Sequence, residues 1–210
     1  MKPFAIKASL LLLNLVLISC QHTETLSPTP PRADATIRVD PQVHETHKLR
    51  WTPLSLYVGM NVPYAPIAAV KKEVEKREGV LLQSRGEAHI TVISPSELSA
   101  LRSRLSLEQI NGTMAKLSLQ SIPFQLHCLG KSQLKEGERR LAAYYLLVQA
   151  PGLLQVREKL RQQFAAAGGD KQAFVVEDYQ PHITVGFTER DLNPEDGVSK
   201  DGKSCVYKVE

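Results

Sequence analysis

His89-Ile90-Thr91-Val92 and His182-Ile183-Thr184-Val185 are the same four residues, met twice in a chain of 210. Apart from the histidine, each copy is wholly β-branched, the composition of a strand. Side chains at i and i+2 of a strand share a face. Each copy therefore sets an imidazole beside a hydroxyl and turns Ile and Val the other way. Two such strands side by side would offer two histidines and two threonines to one cleft. That is the equipment for two-histidine acid–base chemistry on a phosphate ester.

Outward from the motifs, the pattern predicts strands over 54–60, 80–84 and 88–93, with a helix over 66–78 whose Ile67, Val70 and Val74 share a face. Ser94-Pro95-Ser96-Glu97 reads as a capped helix start, and Ser106 with Gln109 as a second. Strands over 123–129 and 141–149 suggest a hairpin around Lys135-Glu136-Gly137-Glu138. Leu153, Val156, Leu160, Phe164 and Ala167 form the apolar stripe of a helix over 151–167, stopped by Gly168-Gly169. Residues 174–177 read as strand or extended approach, and 182–187 and 204–209 as the last strands. The order is roughly β-α-β-β-α, then β-β-α-β-β, with one motif in each half. This predicts a duplicated α+β fold.

The first 19 residues read as an export signal. Lys2 and Lys7 precede an almost wholly apolar run, Ala8 to Ile18, too short to span a bilayer comfortably. It ends in Leu17-Ile18-Ser19-Cys20, which resembles a bacterial lipobox with Cys20 as the lipidated residue. Gln21 after the cysteine favours the outer membrane, facing the periplasm. The segment 20–49, with Ser27-Pro28-Thr29-Pro30-Pro31, has a tether's composition, which leaves 50–210 as the folded domain. His44 and His47 lie in or near that tether and have no third ligand nearby, so no metal is expected there.

About 160 residues beyond the tether suffice for one domain with a real core. The formal charge of +4 includes two leader lysines. The remaining excess is too weak to indicate duplex nucleic acid, though a small nucleotide or RNA end fits. With Cys20 lipidated, Cys128 and Cys205 remain, in two expected strands; in an oxidising envelope they form a disulfide or stay as two buried thiols.

The flanks narrow the motif. Glu87-Ala88-His89-Ile90-Thr91-Val92-Ile93, Pro181-His182-Ile183-Thr184-Val185-Gly186-Phe187-Thr188-Glu189-Arg190-Asp191-Leu192 and the later Asp196-Gly197-Val198-Ser199-Lys200-Asp201 resemble the 2H phosphoesterase superfamily, in its Swiss Army Knife branch. The resemblance implies two pseudo-symmetric lobes, each an antiparallel sheet with helices outside, around a central groove. It implies a cyclic phosphodiesterase with His89 and His182 as acid and base, in an order the motif leaves open, and with Thr91 and Thr184 on the phosphate. No cofactor or metal is implied, and a monomer is expected. Tyr57 and Arg190 are further candidates for substrate contact. An ordinary half-buried tyrosine and a local ion pair are the plainer readings of these two, and His127 reads as structural. A lipoprotein that holds a nucleotide without turnover, and phosphoryl transfer of the ligase kind, are the competing readings.

Overall fold

A computed structural model describes residues 23–26, 35–45 and 56–210. The export signal, Cys20, His47, and Leu54 and Ser55 of the expected first strand lie outside the described residues. The chain runs β1 (Thr23–Leu26), β2 (Thr36–Ile37), β3 (Val58–Val62), α1 (Tyr64–Glu78), β4 (Ala88–Ile93), α2 (Pro95–Arg102), α3 (Leu107–Lys116), β5 (Gln125–Glu136), β6 (Arg139–Gln149), α4 (Pro151–Ala166), β7 (His182–Phe187) and β8 (Cys205–Val209). No helix among the described residues is long and apolar enough to cross a membrane.

Local chemistry accounts for most of these elements. Ser94 and Ser106 both close capping boxes, with Glu97 and Gln109 respectively. α4 ends where Gly168 takes a left-handed φ of 80° and Gly169 N–H bonds back to the Phe164 carbonyl. β5 and β6 form a long hairpin that turns at Gly137.

The strands join in one mixed sheet, ordered β2-β8-β5-β6-β7-β4-β3, with β1 paired to β5 and only β2–β8 parallel among the neighbours in that order. Two lobes with a sheet apiece are therefore not what the described strands form: β4 and β7 pair directly and make the sheet continuous. Nor do the helices divide between two outer surfaces. Ile67 and Val70 of α1, Leu101 of α2, Ile110 of α3 and Leu153 and Leu160 of α4 share one core with Ile90, Val92, Ile183 and Val185. β6 is buried on both faces: Tyr144 and Leu146 enter that core, while Tyr145 and Leu147 pack on the opposite face with Cys128.

Part of the expected tether is packed. Ile37, Val39 and Val43 are buried in the main core: β2 pairs with β8 and turns Ile37 inward, and a short 3-10 helix over Pro41–His44 buries Val43. The expected strand over 80–84 is reduced to one bridge, Gln83 to Phe187, and Leu81 projects into solvent. Residues 174–177 form bends and the start of a turn, not a strand.

Candidate active site

β4 and β7 are antiparallel and meet at Ile90 opposite Ile183, both fully buried. That register sets His89 across from Thr184 and Thr91 across from His182, all four on the face away from the helices. Each histidine thus faces the other motif's threonine. A cleft lined by Ser84, Arg85, Glu87, His89 and Thr184 opens beside this crossing.

His89 is held by its own end of the sheet. Glu87, two residues earlier and on the same face, accepts a hydrogen bond from Nδ1 at 2.8 Å. That bond, chiefly, holds the Glu87 carboxyl below its ordinary range. Tyr57 stacks on the imidazole, with centroids 4.7 Å apart and 29° between planes, and its hydroxyl lies 3.4 Å from Nδ1. Gly59 makes room for the stack: a Cβ there would lie 3.0 Å from the Tyr57 ring and 3.3 Å from His89.

His182 has different neighbours. Its Nδ1–H donates to the Gln180 carbonyl at 2.8 Å, which leaves Nε2 as the acceptor. Lys200 donates to that Nε2 at 3.1 Å and to Asp191 Oδ1 at 3.2 Å. Burial first, and the Lys200 charge second, push the His182 pKa down to about 4. Burial also lowers Lys200, against the pull of Asp191. Asp191 accepts from the Thr184 hydroxyl at 3.1 Å and lies 3.6 Å from the Arg85 guanidinium. Tyr145 meets His182 edge-on at 5.6 Å.

The remaining sequence candidates fall out as follows. Tyr57 reaches the site, but through His89. Arg190 is clamped by Asp196 at 2.8 and 2.9 Å, the local ion pair and not a cleft ligand. Cys128 and Cys205 are joined by a disulfide that ties β5 to the start of β8. His127 stands beside them, and this trio is the one grouping with metal-binding spacing among the described residues. Two bonded sulfurs offer no thiolates, so it makes no metal site.

Three further contributors lie in the motif flanks, where the sequence assigns them no part in the site. Glu87 was legible, being at i−2 of His89. Asp191 and Lys200 come from loops and left no periodic signal. A fourth residue, Arg157 of α4, is only 1% exposed and ties the end of β4 and the start of α2 to the segment ahead of β7. It donates to the carbonyls of Val92 and Val175 at 2.8 and 2.6 Å and to both oxygens of Glu97. Phe174 and Tyr179 sandwich its guanidinium, and the Tyr179 hydroxyl donates to the Thr91 carbonyl at 2.9 Å.

Residues 56–193 match the family described as Swiss Army Knife, 2H phosphoesterase domain. Comparison with curated proteins and with solved structures finds no match.

Proposed function

Since the chain belongs to the Swiss Army Knife 2H phosphoesterase family, which implies phosphodiesterase activity, we propose that it hydrolyses a 2′,3′-cyclic phosphate, or a related phosphodiester, of a nucleotide or RNA end. The observation that carries this reading is the antiparallel crossing at Ile90 and Ile183, which gathers His89, Thr184, Thr91 and His182 on one open face. With the phosphorus between the imidazoles, His182 takes a proton from water as general base. The water oxygen bonds to phosphorus, the bond to one ribose oxygen breaks, and that oxygen takes its proton from His89 Nε2.

The partners support this order of roles. A carboxylate and a stacked phenol ring stabilise the positive charge that an acid must carry, and His89 has both. His182 presents an unprotonated Nε2, the form a base requires. Thr91 and Thr184 donate to the non-bridging oxygens, Thr184 by rotating its hydroxyl away from Asp191. The scheme requires no metal. All the site residues come from one chain, so a monomer suffices. The leader adds a location: lipid-anchored through Cys20 in the outer membrane, facing the periplasm. Labelling of the protein with a palmitate analogue, lost in Cys20→Ser, tests that part.

The decisive experiment incubates the purified protein with a panel of nucleoside 2′,3′-cyclic phosphates and short RNAs with cyclic ends, with His182→Ala as control. Product from the native protein and none from the variant supports the hydrolase. Ligand-induced thermal stabilisation without product from either points to the ligand-holding lipoprotein.

A further inference from the structure

Lys200 lies after the matched residues 56–193, in the Asp196–Asp201 stretch of the loop ahead of β8, and it is among the most buried charges of the molecule at 2% exposure. A buried ammonium is costly unless its donors are satisfied. Two of its partners are groups of the cleft: Asp191 Oδ1 at 3.2 Å and the Nε2 of His182 at 3.1 Å. The second contact occupies the very lone pair that a general base must offer to water. The Tyr145 ring lies 5.1 Å from the same ammonium. The Lys200 backbone N–H is pinned to the Gln180 side chain at 2.7 Å, so the loop carrying the lysine is tied to the segment that orients His182.

We propose that Lys200 is a further functional residue of this site: at rest its ammonium caps His182 Nε2, and an anionic phosphodiester oxygen draws that ammonium away and frees Nε2 for the attacking water. The inference rests on the reading of the cleft as a phosphodiester site. At rest the lysine adds to burial in keeping His182 unprotonated. When substrate arrives, the cation moves onto a phosphate oxygen, where charge builds in the transition state. The base is thus uncovered only when there is a phosphate to attack. No atom is gained or lost in the exchange: the ammonium keeps its three protons and changes one acceptor for another. The water proton then passes to Nε2 and the His89 proton to the leaving oxygen.

The charged groups around His182 bear on the test. Lys200 and His89 oppose its protonation, and Asp191 favours it. Arg85 acts from the segment before β4, where it lies against Asp191, and Tyr145 of β6 meets the ring by its edge. Removing Lys200 leaves the Asp191 carboxylate as the nearest charge from those loops, so His182 should protonate more readily.

The test follows the imidazole proton resonances of the six histidines by NMR against pH, with the His182 signal identified by its absence in His182→Gln. Inorganic phosphate is the probe. In the native protein, His182 should titrate well below the ordinary histidine range and move upward when phosphate is added. In Lys200→Met it should titrate higher than in the native protein without phosphate, yet still below the ordinary range because burial remains, and phosphate should bind roughly 10- to 100-fold more weakly, the worth of a charged hydrogen bond. Lys200→Arg, which keeps the charge, should restore the low titration. An unchanged His182 in Lys200→Met, or undiminished phosphate affinity, overturns the proposal. Should that variant not fold, the native protein decides alone: a His182 signal indifferent to phosphate overturns it. Absence of turnover, with the phosphate response intact, would instead remove the hydrolase reading and leave the exchange standing.

Discussion

β4 and β7 carry the same four residues at the same crossing of one sheet, yet their histidines keep opposite electrostatic company. His89 faces a carboxylate two residues back in its own chain and lies under a tyrosine ring. His182 has a backbone carbonyl at the corresponding distance, and its other nitrogen meets a lysine from a distant loop. Thr184 is bonded to Asp191, and the Thr91 carbonyl is bonded to Tyr179. Duplication of a motif therefore does not duplicate its chemistry. The tetrapeptide supplies an imidazole and a hydroxyl on one face, and the surroundings decide which partners each imidazole meets.

The strongest challenge to this contrast is to delete each histidine in turn. His89→Ala and His182→Ala should each lower turnover of a cyclic phosphate by about 10²- to 10⁴-fold while circular dichroism stays native. Retained turnover in either would show that one motif is a bystander. Arg157→Met removes the buried cation that joins β4 and α2 to the segment ahead of β7. It leaves Glu97 without its cation and should cost roughly 3–5 kcal/mol in urea unfolding. A midpoint near that of the native protein would show that the buried pair contributes little.

A finer distinction comes from Glu87→Gln. If Glu87 supports only the acid, kcat should fall about 10- to 100-fold, with the basic limb of the pH profile moved down and the acidic limb in place. Movement of the acidic limb alone would exchange the two roles. The pH dependence of stability separates the strands again. The folded pKa of His182, about 4, lies below its unfolded value near 6.5, so the unfolded chain binds the proton more readily. The contribution of this residue is complete above about pH 6.5 and is lost as the pH falls toward 4. His182→Gln should flatten that part of the stability curve, and an unchanged slope would contradict the depressed pKa. The smallest effect is expected at Arg190, whose guanidinium is tied to Asp196 away from the crossing. Arg190→Ala should leave kcat/KM essentially native and cost at most about 1 kcal/mol. A large loss of activity would return it to the cleft.

Much of this was legible in the residues. The span of β4, both capping boxes, the β5–β6 hairpin and the stop of α4 follow from alternation, Ser-x-x-Glu or Ser-x-x-Gln spacing and glycine, all of which act within a few residues. Expectations weakened wherever a segment depends on a distant partner. Residues 80–84 look like strand but find only one bridge, and residues 35–45 look like tether but bury Ile37 against the core. Arg157 sits on the apolar side of α4, where helical periodicity expects an aliphatic residue. Its place there follows from Glu97, Val92 and Val175, none of them its neighbour in sequence.

Local residue order sets the two histidines, the two threonines, the face they share in each strand, and Glu87 at i−2 of the first of them. Those are consequences of a two-residue period that any extended backbone imposes. Long-range contacts pair β4 with β7, so that one sheet replaces two lobes and each histidine faces the other motif's threonine. They also bring Lys200 and Asp191 to His182. Cross-strand register and the burial of loop charges depend on contacts between residues far apart in the chain, and no local pattern encodes them.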